Sequence, residues 1–349
     1  MRTDVSGVNA WVLYPDNSAV ASSYLDLVAL ALRDIGCQVN KLPIADENAF
    51  RAKGIEKDDL LVVDTCVTFV KMYARGFRNL ILWCQGIAPE ESYMRNHSRM
   101  RRAVLSWMER FSLRRARFVI LVSDAMKRHY ERKYKMSFSD RSYAMPCFNA
   151  DLREDAFADC EKFHSLRFAY VGSLAPWQCF DEMLQLYREI ERRFDNASLS
   201  VFTFEQELAN TLVQASQIKN YQVTSLPPER LGDVLKTMSF GFVLRDDVPV
   251  NRVATPTKLS SYLSCGVIPV FSDCLVDFLE ATRDFEYVCP IHGSDDVSSV
   301  AEFITKVRDP SRMAKEYKSL FDTYYSEASH RKCLSERFAC IFALKEGNR

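Results

Sequence analysis

Short, unbroken apolar runs alternate with amphipathic stretches along the chain. In the first half the runs are Trp11–Tyr14, Leu60–Asp64, Leu80–Trp83 and Phe118–Val122. Between them lie helical periods such as Ser23–Ile35, which puts Leu25, Val28, Leu32 and Ile35 on one face and stops at Gly36. The second half repeats the scheme with Phe168–Val171, Leu199–Phe202, Tyr221–Val223, Phe240–Leu244 and Val267–Phe271. Strands that are apolar throughout are covered on both faces, and strands separated by helices pair in parallel. The pattern therefore predicts α/β twice over: two facing Rossmann-like, doubly wound domains with a ligand cleft between the carboxyl ends of their strands. A polar, weakly periodic stretch from Asn149 to Lys162 separates the halves. The expected division is 1–148 for the first domain, 149–165 for a linker and 166–325 for the second domain. Residues 326–349 are expected as a C-terminal helix free to cross back to the first domain.

Composition narrows this picture. A chain of 349 residues exceeds what one core usually fills, and 12% aromatic content excludes a disordered chain. No apolar run approaches the roughly 20 residues that a bilayer span requires, and the start, Met1-Arg2-Thr3-Asp4, leads into no secretory h-region. The eleven cysteines are scattered and form no CxxC, which argues against a disulfide framework or a structural zinc and for a reducing cytoplasm. Charge changes the picture more. The net charge is zero, but residues 1–150 hold 23 basic and 16 acidic side chains and the remainder holds 23 and 30. Much of the basic surplus lies in Arg95–Arg117, where eight arginines interleave with Met100, Val104, Leu105, Trp107, Met108 and Phe111. A basic amphipathic helix of this kind suits an anionic membrane surface. The ordinary alternative is a helix packed on its sheet with a solvated basic face. Nucleic acid is not expected, because no recognition module or stacking platform accompanies the charge.

The glycines form no GxGxxG, GxxxxGK[ST] or GxSxG, and the five histidines include no HExxH. The most informative stretch is 241–270. A buried strand ends at Leu244 and releases Arg245, Asp246 and Asp247; a loop with Asn251 and Arg252 follows. Thr255 is then placed to cap a helix with Pro256 at its first position and Gly266 beyond its end. Strand, polar loop and helix N-terminus together favour a phosphate. Lys258 in the first helical turn opposes the dipole unless an anion sits there.

The same stretch, with Val250-Asn251-Arg252-Val253-Ala254-Thr255-Pro256-Thr257-Lys258 at its centre, resembles the donor-binding region of GT-B glycosyltransferases of the family 4 type, bacterial surface-polysaccharide branch. Tyr170–Leu184, with Gly172 and Ser173, looks like the strand–loop–helix that opens that family's second domain. Ala116–Lys127 looks like its late first-domain strand and helix, and Pro146-Cys147-Phe148-Asn149 sits where its hinge entry lies. The resemblance implies a retaining, metal-independent hexosyltransferase, with no cofactor and a nucleotide-sugar donor held by the second domain. The acceptor would be a glycan or a lipid-linked sugar, and the enzyme would sit in the cytoplasm or on the inner face of the plasma membrane. Carried over by position, Lys258 and Arg245 serve catalysis at the diphosphate, and Gly172, Ser173, Asn251, Pro256, Thr257 and Ser261 bind the donor.

The departures from the family pattern are specific. Ser173 and Gln178 stand where the family carries Arg and Lys, so Arg245 and Lys258 are expected to supply the positive charge instead. Ser261 stands where a helix Glu usually grips the ribose, which leaves a second reading open: a catalytically degenerate partner subunit that binds nucleotide or glycan. In the first domain, Gln85, Gly86 and Glu90 follow the Leu80–Trp83 strand and Asn17 follows the first strand. Asn17, Gln85 and Gly86 are acceptor-side candidates, Glu90 is a candidate general base, and Asp64 ends a neighbouring strand. An ordinary strand-to-helix loop is the alternative for each.

Overall fold

The structure, a computed structural model, describes residues 8–15, 19–43, 54–159, 161–293 and 296–343. The chain divides into two compact units: one made of residues 1–147 and 326–349, the other of 148–325. Each holds a six-stranded sheet whose neighbours all pair in parallel.

In the first unit the strands are β1 (Asn9–Tyr14), β2 (Gln38–Pro43), β3 (Leu60–Val63), β4 (Leu80–Cys84), β5 (Phe118–Leu121) and β6 (Ser142–Ala144), in the order β2-β1-β3-β4-β5-β6. The second unit holds β7 (Arg167–Val171), β8 (Ser198–Phe202), β9 (Tyr221–Thr224), β10 (Phe240–Val243), β11 (Ile268–Ser272) and β12 (Cys289–Ile291), in the order β12-β11-β10-β7-β8-β9. Both orders reverse once, between β1 and β3 and between β7 and β10. A doubly wound sheet opens its ligand crevice at that reversal, beyond the carboxyl ends of the strands. The central strands β3, β4, β5, β10 and β11 are buried at every position, as their unbroken apolar sequences demand. The first helix spans Ala19–Asp34 rather than Ser23–Ile35, and Gly36 follows it with φ of 95°, the left-handed turn its sequence position requires.

Of residues 149–165, expected as a linker, the described ones (149–159 and 161–165) pack into the second unit. Phe157 and Phe163 enter its core, and the wholly buried Lys162 donates to the Cys265 carbonyl at 2.6 Å, satisfying the end of the Thr257–Ser264 helix. Burial brings the Lys162 ammonium down to about 8.

The helix Glu327–Ala343 belongs to the first unit. Its Phe338 is buried edge-on against Phe118 of β5 with ring centroids 5.3 Å apart, and Leu334 is buried beside it. Tyr143 of β6 pairs with His330 at 2.8 Å, and Arg331 forms a two-point ion pair with Asp34 at the surface. The apolar contacts carry this docking, because an exposed ion pair contributes little. Phe338→Ala is therefore expected to cost roughly 3–5 kcal/mol of the first unit's stability. Arg331→Ala is expected to cost less than about 1 kcal/mol. Denaturant unfolding followed on both variants checks the contrast.

Candidate functional site

The second unit's reversal point is shaped by one side chain. β7 and β10 pair only at Phe168 with Phe240 and Ala169 with Gly241, then diverge. Tyr262, fully buried on the Thr257–Ser264 helix, fills the wedge. Its hydroxyl accepts the Val171 N–H at 3.1 Å, a donor the ladder has left unpaired. Its ring lies on Gly241, where an added Cβ would come within 2.6 Å, so only glycine admits it.

Above this wedge lies Lys258. A Cβ on Gly172 would fall 2.7 Å from Lys258 Cε and 2.8 Å from its Nζ, and Gly172 itself has φ of 130°. The ammonium sits 4.5 Å from the centre of the Tyr170 ring and donates to Gln178 Oε1 at 2.6 Å. Arg245 follows β10 by two residues and is buried. Its backbone N–H donates to Ser272 Oγ at 2.9 Å and its guanidinium to the Leu244 carbonyl at 2.6 Å. Among the described residues neither cation has a carboxylate partner. Burial, reinforced by repulsion from Arg245, holds the Lys258 ammonium well below the usual lysine range.

The helix begins one residue later than its sequence suggests: Pro256 occupies the cap position and Thr257 the first turn, with no side-chain cap. Thr255 is therefore outside the helix. Pro256 and Thr257 are partly buried beside Lys258; in the first turn the Leu259 N–H donates to the Pro256 carbonyl at 3.1 Å, and a helix end without a side-chain cap favours an anion.

The remaining second-unit candidates divide. Asn251 is buried and its amide donates to the Asp246 carbonyl at 3.0 Å, so it braces the loop that Arg252 and Asp247 close with a two-point ion pair. Ser173 is exposed beyond Gly172, and its carbonyl accepts from the Tyr170 hydroxyl at 2.7 Å. Ser261 donates to Asn149 Oδ1 at 2.8 Å, while the Asn149 N–H donates to Ser260 Oγ at 3.1 Å. The Ser261 hydroxyl is thus engaged with the chain that enters the second unit. Sequence reasoning missed Tyr170 and Asn149 as partners of this site, and saw Gln178 only as a missing charge. The strand–loop–helix from Tyr170 and the hinge entry at Pro146–Asn149 are legible in the sequence, but the contacts they make are not.

In the first unit, Asn17 lies outside the described residues. Gln85 is exposed after β4, and the Gly86 carbonyl accepts from the Tyr130 hydroxyl at 3.0 Å. Glu90, the candidate base, is tied to Lys133 at 2.9 Å and to Arg102 at 3.6 Å. Lys133 also binds the buried Glu109 at 2.9 Å, which accepts from Tyr130 and Tyr134 as well. These bonds fasten the Arg99–Arg115 helix to the Asp124–Tyr134 helix, and they leave Glu90 in a structural network. The Arg95–Arg117 segment is not one helix. Arg95 lies in the last turn of the Ala88–Asn96 helix, His97 turns the chain with φ of 49°, and Ser98 caps Arg99–Arg115. Arg117 departs from the basic face and donates to the Ile341 carbonyl at 3.1 Å. Met100, Val104 and Trp107 stand exposed among the other arginines.

No protein-family model matches the sequence, and no curated protein is detectably related to it by sequence. Solved structures are similar in fold. Sucrose-phosphate synthase from Thermosynechococcus elongatus superposes with a TM-score of 0.69 at 13% identity, covering 97% of this chain and 100% of that one. A trehalose-6-phosphate protein of E. coli, bound with UDP-2-fluoro glucose, gives 0.64 at 9% identity over 95% and 98%. A TarM variant of S. aureus, solved with fondaparinux, alpha-GlcNAc-glycerol and UDP, gives 0.60 at 10% identity and covers 84% of this chain. The chain spans only 57% of the length of TarM. The fold is the GT-B architecture of two Rossmann-like α/β units.

The Lys258 environment makes a pH-dependent statement. A lysine whose folded-state pKa is depressed binds fewer protons folded than unfolded. Its penalty is full below the depressed value and disappears as pH rises toward the ordinary lysine value of about 10.4. Lys258→Met is therefore expected to be more stable than the native chain at pH 7 and to lose that advantage as pH approaches 10. Denaturation midpoints across this range test it.

Proposed function

We propose that this chain is a glycosyltransferase that moves a sugar from a nucleotide diphosphate sugar to a hydroxyl of a glycan or lipid-linked acceptor. The carrying observation is the Lys258–Arg245 pair: two partly or fully buried cations without a carboxylate, at the reversal point of a Rossmann-like sheet, beneath a glycine and beside a helix N-terminus. A diphosphate neutralises them and lies at the positive end of the helix that begins at Thr257. The charge that develops on the leaving diphosphate is stabilised by groups already oriented toward it, so the chain's own cations do the work a metal ion does elsewhere. Gly172 lets the phosphates approach the backbone. Gln178 and Tyr170 hold the ammonium in place, and Asn251 keeps the Arg245 loop in shape. That neighbours of the same fold were solved with UDP or a UDP-sugar supports this reading. Transfer with retention, without a metal, in bacterial surface-polysaccharide or glycolipid synthesis, follows from the family 4 resemblance of residues 250–258.

A degenerate, non-catalytic binding subunit is the second reading, and one observation favours it. The position that would carry the ribose-gripping carboxylate is Ser261, whose hydroxyl is already bonded to Asn149. Two measurements separate the readings. UDP or GDP at 100 times its dissociation constant is expected to stabilise the chain by about 2.7 kcal/mol, in the presence of EDTA as in its absence. Lys258→Ala is expected to abolish the shift. No shift with any nucleotide would sink the transferase reading, and a shift without sugar release from any nucleotide sugar would favour the binding subunit.

We also propose that the Arg99–Arg115 helix rests on an anionic membrane. Met100, Val104 and Trp107 recur at helical spacing on an exposed face flanked by Arg99, Arg101 and Arg110. This is the arrangement in which apolar side chains enter the interface and arginines meet the headgroups. Among the described residues no helix is long and apolar enough to cross a membrane. Co-sedimentation with vesicles containing phosphatidylserine is expected for the native chain. Replacing Arg99, Arg101 and Arg102 with Glu should weaken binding by at least tenfold, and unchanged binding would return the helix to a purely structural role.

A further inference from the structure

The chain after β7 makes a tight turn over Pro176–Gln178 and brings Gln178 to Lys258. The Gln178 backbone N–H donates to the Ala175 carbonyl at 2.8 Å. Cys179 follows in the left-handed region, with φ of 49°, a conformation that a non-glycine residue keeps only when its surroundings hold it. It is buried, and its carbonyl accepts the Met183 N–H of the Phe180–Arg193 helix at 3.0 Å. Gln178 is thus fixed from both sides, and its Oε1 takes the Lys258 ammonium at 2.6 Å. The group so firmly presented to the ammonium is neutral.

The charge around it is small in number. Arg245 is the charged group that acts on Lys258. Those that act on Arg245 are Tyr170, Cys179, Cys274 and Tyr262, which burial keeps un-ionised at neutral pH. At the rim, Glu205 accepts the Leu174 N–H at 2.6 Å, Asp247 is paired with Arg252 at 2.6 Å, and Asp246 and Glu182 act on Cys179. With a diphosphate bound, Lys258 and Arg245 bring one positive charge each and Gln178 brings none.

A diphosphate esterified at both ends carries about two negative charges. Once the bond to the sugar is broken, the terminal phosphate gains about one more at pH 8, because its second ionisation has a pKa of about 6. A cation touching that phosphate holds the free diphosphate more tightly than the ester, since attraction grows with the product of the charges. We propose that Gln178 keeps the site one cation short, and so weakens its hold on a free nucleoside diphosphate relative to the same diphosphate esterified to a sugar. The inference rests on the diphosphate reading of the Lys258–Arg245 site. In a transferase the ester is the donor and the free diphosphate is the product, so Gln178 favours product release.

The test is isothermal titration calorimetry of the full chain, in EDTA, with UDP and GDP and with the β-methyl ester of each. Free and methylated diphosphates differ by one charge and carry no sugar. At pH 8, Gln178→Lys is expected to strengthen the free diphosphate about fivefold or more beyond any gain for its ester. That gap should shrink as the pH is lowered to 5, where the terminal phosphate takes up its proton. Gln178→Glu should move the ratio the opposite way, about threefold or more, and it serves should Gln178→Lys fail to fold. Two controls separate charge at this position from other effects. Gln178→Met removes the bond to Lys258 without adding charge, and Gln214→Lys adds the charge on the exposed last turn of the Gln206–Ala215 helix. Each should leave the ratio within about twofold. An unchanged ratio in folded Gln178→Lys or Gln178→Glu, a gap undiminished at pH 5, or an equal gap in either control would overturn the proposal alone. Binding of none of the four ligands would overturn the transferase reading and the proposal with it.

Discussion

The burial of two basic side chains, Lys258 in part and Arg245 nearly completely, is the constraint around which the second unit is arranged. Two cations withdrawn from water, with no acid to answer them, remain in place only if the surrounding chain over-determines their positions. Each neighbouring element does part of this. The Tyr262 wedge fixes the helix that carries Lys258, and Gly241 exists to admit the wedge. Gly172 leaves room for the ammonium, Tyr170 offers it a ring face, and Gln178 takes its hydrogen bond. Ser272 holds the backbone of Arg245, and Asn251 steadies the loop that follows. Sites of this kind trade stability for a poised charge, since burial disfavours the Lys258 ammonium.

The two units show opposite relations between overall charge and site charge. The first half of the chain carries the basic surplus, yet the cavity beyond the carboxyl ends of β3 and β4 is lined by Asp64, Glu91 and Glu109. The second half is acidic overall, yet its reversal point presents two unanswered cations. Net charge describes the solvated faces, such as the arginines of the Arg99–Arg115 helix, and those faces govern long-range attraction. The sites are set instead by a few groups that folding removes from water, where a single unpaired charge outweighs many exposed ones.

How much of this was legible in the sequence follows from the range of the interactions. The central strands announce themselves, because burial on both faces requires unbroken apolar runs. The edges do not: β2 reads Gln38-Val39-Asn40-Lys41-Leu42-Pro43 and is mostly exposed, while β6 and β12 are three residues each. Such strands carry too little apolar pattern to be distinguished from loops. Within the site, residues 245–258 were legible because strand, loop and helix start are contiguous. The partners of Lys258 at Tyr170 and Gln178 come from about 80 residues away, and the Asn149–Ser261 bond spans 112. No local pattern encodes such pairings. Glu90 shows the converse: a carboxylate after a strand has the spacing of a base, and its partner Lys133 lies 43 residues on.

The return of the Glu327–Ala343 helix to β5 and β6 makes the second unit an insertion within the first. Its first and last residues, Phe148 and Tyr325, lie against each other with ring centroids 5.9 Å apart. The whole second Rossmann-like unit therefore leaves and re-enters the chain at nearly one point, as domains tolerated inside other domains do. The consequence concerns the order of events during synthesis. Every residue of the second unit emerges before the helix that supplies Phe338 to the first, so the unit that holds the cationic site has all its parts while the sheet of the first still lacks one flank. The chain thus finishes its two halves in the reverse of the order in which they begin.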